Sequence, residues 1–158
     1  MTKARVITCS DASSRGERVD QSGPAVRELL AANGYDIDAV MVVADDIDDI
    51  AEAIEAATGD GARLVVTTGG TGIAPRDVTP EATLRVCEKI IPGFGEVMRA
   101  ASLRKTAMAP LSRAQAATRG TALIVNLPGS VSGATENLQA VLHLIPHALQ
   151  LLEGKTEH

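Results

Sequence analysis

The stretch VVTTGGTGIAPRDVTPEATLRV, residues 65–86, decides the fold because it joins three local patterns. It begins in an apolar run, and we predict a buried strand at Leu64–Thr67. Three glycines within residues 69–72 follow, before the pattern becomes that of a helix. Thr79-Pro80-Glu81 predicts the helix start, with Thr79 as the cap, proline in the first turn and an acid behind it. A strand that leads through a loop into a helix is the repeating unit of a parallel α/β sheet.

The rest of the chain repeats this alternation. Further strands are predicted at Arg5–Cys9, Ala39–Val43 and Ala122–Asn126. Further helices are predicted with Ser22 as a cap, from Asp45 or Asp46, over Phe94–Leu103, and from about Ala134 to Leu152. Proline disrupts helix interiors, so Pro146 should kink or split the last helix. The expected fold is one domain over residues 1–158, with a parallel α/β sheet and helices on both faces.

Composition excludes several classes of function. The 45% of hydrophobic residues is enough for a large core, yet Tyr35 and Phe94 are the only aromatics. This shortage and the net charge of -5 argue against a nucleic-acid partner. Cys9 and Cys87 lie in apolar runs, which predicts buried free thiols. The N-terminal residues do not resemble a signal peptide and no apolar stretch reaches membrane-spanning length, so we expect a cytoplasmic protein without a membrane partner.

Charge is unevenly distributed along the chain. Residues 36–62 hold nine acids and neither Lys nor Arg, whereas residues 97–135 hold five basic residues and no acid. Two differently charged solvated surfaces are one interpretation. The other is that the basic segment receives a polyanion while the acidic segment holds a metal ion.

Four predicted loops leave strands at the same edge of the sheet. They contain Ser10-Asp11, Asp45, the segment Gly69–Asp77 and the segment Asn126–Ser130. Ligands of parallel α/β sheets bind beyond the carboxyl ends of the strands. This convergence predicts a binding site there.

The glycine-rich loop Gly69-Gly70-Thr71-Gly72 can bring backbone N–H groups close to anionic oxygens. It is neither a dinucleotide fingerprint nor a Walker loop, and a tight turn without a ligand is the alternative. Asp77 follows it. Beside a phosphate, a carboxylate is favourable when it holds a shared cation, which makes Asp77 a candidate Mg²⁺ ligand or orienting group. A helix cap or an ion pair with Arg76 is the simpler interpretation.

Five ordered motifs resemble one known family. They are Ser10-Asp11 with Asp20-Gln21-Ser22-Gly23-Pro24, Thr67–Gly72 with Pro75–Ala82, Pro92–Arg99, Leu111-Ser112-Arg113, and Asn126–Ser130. Together they are similar to the MogA/MoaB family of molybdenum-cofactor biosynthesis, to which the gephyrin G domain belongs. The resemblance covers nearly the whole chain. It implies a three-layer α/β/α fold with a mostly parallel sheet and a homotrimer that binds molybdopterin.

The MogA-like members of this family adenylylate molybdopterin with Mg-ATP and release pyrophosphate. Their two functional carboxylates, which serve catalysis and metal binding, match Asp45 and Asp77, although Asp46 is an alternative to Asp45. Some MoaB-type members lack the complete Arg-Asp-Val-Thr-Pro motif and have uncertain activity. Non-catalytic binding of molybdopterin or a precursor is therefore the second expectation.

Further residues match ligand contacts of the family. Ser112 and Asn126 match pterin and phosphate contacts, although Asn126 has a structural alternative in stabilising its turn. Gly70 and Thr71 should lie near ATP. The remaining expected binding residues are Ser10, Asp11, Gly69, Gly72, Pro128, Gly129 and Ser130. An excess of apolar residues in the last predicted helix gives a separate indication of self-association.

Overall fold

A computed structural model of the protein describes residues 1–156, so the last two residues of the predicted domain lie outside it. Seven strands form one sheet within this range. They are β1 (Lys3–Cys9), β2 (Asp36–Ile37), β3 (Met41–Val43), β4 (Leu64–Thr68), β5 (Lys89–Ile90), β6 (Gln115–Arg119) and β7 (Ala122–Leu127). Strands β2 and β3 both pair with β1, and the order continues β1-β4-β7-β6-β5. All pairs are parallel except β5–β6 and β6–β7, which confirms the mostly parallel sheet.

Helices cover both faces of this sheet. They are α1 (Asp11–Ser14), α2 (Ser22–Ala32), α3 (Ile47–Gly59), α4 (Thr79–Val86), α5 (Pro92–Leu103), α6 (Val131–Val141) and α7 (Ile145–Leu152). One core cluster joins the sheet to α2, α5, α6 and α7. A second core cluster joins the opposite face to α3 and α4. The expected three-layer α/β/α architecture is therefore confirmed.

Several segments differ from the prediction, and the short elements α1, β2 and β5 were not predicted. Strand β6 was not predicted, because its sequence QAATR contains two alanines and lacks the apolar run of a buried strand. The predicted strand over Ala39–Val43 is shorter and covers only Met41–Val43. The last helix is split as Pro146 predicts, since Leu142–Leu144 forms a 3₁₀ turn between α6 and α7.

The predicted helix caps at Ser22 and Thr79 are wrong. Gln21 occupies the cap position of α2, and Asp20 Oδ1 accepts a hydrogen bond from the N–H of Gly23 at 3.1 Å. Thr79 is the first residue of α4, and its hydroxyl donates to the carbonyl of Gly69 at 2.9 Å. The Ser22 hydroxyl contacts the Thr68 hydroxyl, and the Thr79 hydroxyl contacts the loop after β4. Both therefore make tertiary contacts and neither caps a helix.

Most apolar side chains of the C-terminal segment pack within the chain itself. Val141, Ile145 and Leu149 are buried, and Leu142, Leu144 and Leu152 pack against the same core. A position in the core therefore accounts for most of the apolar excess in this segment, and self-association remains a prediction. Among residues 1–156, no helix has the length and apolar character that crossing a membrane requires.

Candidate functional site at the carboxyl edge of the sheet

The four loops that follow β1, β3, β4 and β7 meet as predicted. The N–H of Ser10 donates to the carbonyl of Val43 at 2.9 Å, which joins the ends of β1 and β3. The N–H of Gly69 donates to the carbonyl of Leu127 at 3.0 Å, which joins the ends of β4 and β7. These backbone bonds bring four stretches of distant sequence to one edge.

The glycine-rich loop is tightly packed against the chain beneath it. Gly69 and Gly70 have φ angles of 91° and 70°, a region that favours glycine. A Cβ at Gly69 would lie 2.3 Å from the carbonyl oxygen of Cys9. A Cβ at Gly70 would lie 2.2 Å from Thr79 Oγ1. Both glycines are therefore required by the path of the backbone, whether or not a ligand is bound.

Arg113 holds this loop from the outside. Its guanidinium donates to the carbonyls of Gly72 and Asp77, each at 2.8 Å, and pairs with Glu81. Its own N–H donates to the carbonyl of Thr71 at 2.7 Å. The loop carbonyls face Arg113, so this arginine is a structural part of the glycine-rich loop.

Two other arginines of the basic segment also donate hydrogen bonds to backbone carbonyls of the chain. Arg99 donates to the carbonyls of Ser112 and Ala114, and Arg119 donates to the carbonyl of Val86 at 2.8 Å. These contacts give the two residues structural roles, which the sequence left open. They do not support the interpretation that the basic segment as a whole receives a polyanion.

Asp45 and Asp46 have different roles. Asp46 caps α3, since its side chain accepts a hydrogen bond from the N–H of Asp49 at 3.0 Å. Asp45 Oδ2 accepts a hydrogen bond from the N–H of Asp11 at 3.0 Å, whereas its Oδ1 is buried without a hydrogen-bond partner. A Cβ at Gly70 would lie 3.3 Å from this Oδ1, so the carboxylate faces the glycine-rich loop.

The electrostatic surroundings of Asp45 disfavour its charge. Burial raises the pKa of its carboxyl above the ordinary value, and the charges of Asp11 and Asp77 raise it further. A buried carboxylate oxygen that lacks a hydrogen-bond partner is costly unless a cation or a donor satisfies it. Oδ1 of Asp45 is therefore a candidate ligand for a cation.

Asp77 also faces the glycine-rich loop. Its Oδ2 accepts a hydrogen bond from the N–H of Ala74 at 3.0 Å and lies 2.7 Å from where a Cβ of Gly72 would be. The cap position of α4 belongs to Val78, and Arg76 pairs with Asp11. The two simpler interpretations of Asp77 therefore do not describe its contacts.

A cleft of about 710 Å³ opens beside these loops. The predicted site residues that line it are Ser10, Asp45, Gly69, Gly129 and Ser130. Ser10 and Ser130 use their hydroxyls as caps of α1 and α6, accepting from the N–H groups of Ser13 and Gly133. The cleft thus begins at Asp45 and passes the start of α6.

The remaining predicted residues lie outside the lining. They are Asp11, Gly70, Thr71, Gly72 and Asp77 around the glycine-rich loop, with Ser112, Asn126 and Pro128. Pro128 is half-buried and would contact a Cβ at Gly133. Ser112 Oγ accepts a hydrogen bond from the N–H of Ala114 at 3.2 Å.

Asn126 differs from the predicted ligand contact. It is fully buried, and its Nδ2 donates to Thr67 Oγ1 and Thr83 Oγ1, each at 3.0 Å. Its Oδ1 accepts from Gln115 Nε2 at 3.3 Å. The side chain therefore joins β7 to β4 and α4 in the interior, which is a structural role, although not the stabilisation of a turn that the sequence suggested.

Sequence reasoning missed the polar wall of the cleft. Thr8 donates to Asp20 Oδ2 at 2.7 Å, and the Ser22 and Thr68 hydroxyls lie 2.9 Å apart. All four residues line the cleft, together with Arg18. The motif Asp20–Pro24 was the available signal, but Ser22 was interpreted as a helix cap.

Comparison with known proteins identifies the family of this chain. Residues 5–147 match the family model described as "Probable molybdopterin binding domain". The chain belongs to the MogA/MoaB family. It is 44% identical over 154 residues to the molybdopterin adenylyltransferase of Helicobacter pylori strain J99, covering 94% of this chain and 86% of that protein.

Other members of the MogA/MoaB family agree in sequence and structure. The molybdopterin adenylyltransferase of Escherichia coli K12 is 36% identical over 165 residues, covering 94% of this chain and 84% of that protein. The solved structure of the molybdopterin biosynthesis enzyme MoaB from Thermus thermophilus superposes with a TM-score of 0.90 and 47% identity, covering 98% of each chain.

Proposed function

We propose that this chain is a molybdopterin adenylyltransferase, which transfers the adenylyl group of ATP to molybdopterin and releases pyrophosphate. The observation that carries the proposal is the pair of carboxylates, Asp45 and Asp77, each of which has an oxygen beside a glycine of the glycine-rich loop. Simple binding of a pterin does not require two carboxylates beside a phosphate site. The names of the relatives at 44% and 36% identity support the same activity.

A magnesium ion fits the two carboxylates. Asp45 Oδ1 is buried and lacks a partner, and Asp77 faces the same loop. Within residues 1–156 no group of three or more His, Cys, Asp and Glu could hold a metal ion. Two carboxylates can be sufficient for Mg²⁺, which usually takes one or two carboxylates and completes its shell with phosphates and water. When bound, Mg²⁺ would neutralise charge on the triphosphate.

The reaction requires positioning more than proton transfer. The terminal phosphate of molybdopterin is already anionic at neutral pH, so it can attack the α-phosphorus of ATP without a general base. A new P–O bond forms, the bond from the α-phosphorus to the bridging oxygen breaks, and pyrophosphate leaves. The chain would align the two phosphates beside the glycine-rich loop and stabilise charge through the N–H groups of Gly70, Thr71 and Gly72.

Cys9 lies at the edge of the cleft but is unsuited to covalent catalysis. Burial raises the pKa of its thiol to about 12, so the thiolate is scarce at neutral pH. Direct attack by the substrate phosphate is therefore the simpler route.

Pyrophosphate release tests this function. We expect release only when molybdopterin, ATP and Mg²⁺ are all present, and we expect Asp77→Ala to abolish it while molybdopterin still binds. Asp60→Ala, which changes an exposed carboxylate far from the cleft, is the matched control. Molybdopterin binding without pyrophosphate release would instead support the non-catalytic function of the MoaB type.

We further propose that the protein is a cytoplasmic homotrimer. Exposed apolar side chains support self-association, because large exposed apolar surface often marks an interface. They surround α5 and the segment after it: Ile90, Val97, Leu103, Met108 and Leu111. Light scattering at micromolar concentration should give a mass near three chains, and a mass near one chain would contradict the trimer alone.

A further inference from the structure

The carboxylate of Asp45 is held in place by one neighbour. Asp45 lies in the short connection between β3 and α3, and its Oδ2 accepts from the N–H of Asp11 at 3.0 Å. In return, the N–H of Asp45 donates to Asp11 Oδ1 at 3.0 Å. Asp11 therefore fixes both the backbone and the side chain of Asp45, and the reciprocal bonds leave Oδ1 of Asp45 facing the glycine-rich loop.

Asp11 is itself held by Arg76. Arg76 Nε donates to Asp11 Oδ2 and Arg76 Nη2 donates to Asp11 Oδ1, each at 3.0 Å. Paired parallel bonds of this kind fix the relative orientation of an arginine and a carboxylate. Most exposed ion pairs contribute little to stability, but this bidentate geometry is the recognised exception.

The ion pair also joins the loop after β4 to the start of α1. Residues 73–76 are exposed, whereas the Asp11 side chain is 23% exposed and lies at the start of α1. Both carboxylate oxygens of Asp11 are engaged by Arg76, and one also accepts from Asp45. Little of its capacity remains for a ligand, in contrast to the expected direct contact.

We propose that Arg76 and Asp11 are positioning residues that aim Asp45 Oδ1 at the cation site of the glycine-rich loop. This inference rests on the proposed function, because it assigns a purpose to the orientation of one metal ligand. The chain of contacts runs from Arg76 through Asp11 to Asp45. Loss of either outer member would let the Asp45 carboxylate turn away without removing it.

Manganese binding tests the proposal without depending on turnover. Mn²⁺ would be titrated into the full chain by electron paramagnetic resonance, with an ATP analogue that has a methylene group between the α- and β-phosphates. Arg76→Ala and Asp11→Asn should each raise the Kd for Mn²⁺ about tenfold, or about 1.4 kcal/mol. The double variant should be no weaker than either single variant, since both act through Asp45. Arg76→Lys should restore part of the affinity.

Arg85→Ala is the matched control, because Arg85 is also exposed and paired with an aspartate, Asp48. It should keep the affinity for Mn²⁺ within about twofold. Melting curves should show that all variants are folded at the temperature of the titration, which separates positioning from a loss of folded protein. Asp45→Asn gives the reference for complete loss of the ligand.

Three results would overturn the positioning role. These are unchanged Mn²⁺ affinity in Arg76→Ala and Asp11→Asn, losses that multiply in the double variant, or a loss in Arg76→Ala alone, which would make Arg76 a direct nucleotide contact. If Asp45→Asn itself binds Mn²⁺ normally, the proposed metal role of Asp45 fails first. If Asp45→Asn is weakened and the outer variants are not, only the positioning role fails.

Discussion

The two edges of the sheet use charged side chains in opposite ways. At the amino edge, Arg63 donates to the carbonyls of Thr121 and Leu149 and pairs with Glu153 at 2.5 Å. At the carboxyl edge, the buried Oδ1 of Asp45 has no hydrogen-bond partner. The charge of Arg63 joins elements of the fold at one edge, whereas one oxygen of the Asp45 carboxylate has no partner within the fold at the other edge.

This difference separates stability from function. A charge that donates to backbone carbonyls stabilises the folded chain. A buried carboxylate oxygen without a hydrogen-bond partner destabilises it. Features that cost stability in this way are concentrated at functional sites. Substitutions at the amino edge should therefore change stability alone, whereas substitutions at the carboxyl edge should also change activity.

The largest effect is expected from a pair of glycines, one at each edge. Gly69→Ala should lower the free energy of unfolding by about 3 kcal/mol, because φ is positive there and the new Cβ would meet the Cys9 carbonyl. Gly59→Ala should be neutral or stabilising, since nothing lies within 4 Å of that Cβ position. Urea denaturation measures both. Equal losses at the two positions would remove the distinction between the edges.

The second comparison uses two arginines that both hold backbone carbonyls. Arg63→Ala and Arg113→Ala should each cost about 2 kcal/mol of stability, because carbonyl groups lose charged donors. Only Arg113→Ala should also lower kcat, since Arg113 holds the carbonyls of Gly72 and Asp77. Steady-state kinetics far below the melting temperature separates the two. A similar loss of kcat in Arg63→Ala would show that stability, not the loop, controls turnover.

Substitutions of Asn126 and Ser112 should distinguish a residue of the interior from a residue that contacts the ligand. Asn126→Ala should cost about 1–2 kcal/mol of stability, because Thr67 and Thr83 lose a buried partner, with little change in molybdopterin affinity. Ser112→Ala should show the reverse, a weaker affinity for molybdopterin at unchanged stability. Isothermal titration and thermal unfolding check both. Unchanged pterin affinity in Ser112→Ala would exclude Ser112 from the site.

The smallest effect concerns the thiol of Cys9. Its pKa is about 12 in the folded chain against an ordinary value of 9.0, so the unfolded chain loses this proton first as pH rises. The sign of the linkage means that stability falls above pH 9, by about 1 kcal/mol between pH 9 and pH 10 for this one group. Urea denaturation should show a shallower decline in Cys9→Ala. The same slope in both proteins would contradict a buried, protonated thiol.

Local pattern was sufficient for much of the fold. Strands β1, β4 and β7 are apolar runs, and glycine and proline mark several of the connections between elements. The β6 strand escaped prediction because its residues are small and polar. The glycine-rich loop indicated Asp77 as a candidate, and the family resemblance indicated Asp45 with Asp46 as an alternative. The cap of α3 then gave Asp46 a structural role.

Contacts between distant residues were beyond local pattern. Arg76 and Asp11 are 65 positions apart, and nothing in the sequence of either segment indicates that they pair. The sequence also did not reveal that Asn126 is buried. An asparagine at the end of a strand can point into the interior or toward the loop, and the local sequence does not distinguish the two orientations. Tertiary packing decides these roles.

Detection of the product tests the proposed adenylyl transfer most directly. Wild-type protein would be incubated with molybdopterin and Mg-ATP, and the mixture analysed by mass spectrometry. We predict adenylylated molybdopterin in amounts equal to the pyrophosphate released, with a loss of at least about a hundredfold, roughly 2.7 kcal/mol, in Asp45→Asn and in Asp77→Ala. Wild-type protein that binds both substrates and forms no adenylylated product, or variants that form it at the wild-type rate, would contradict the assignment of chemistry to the carboxyl edge.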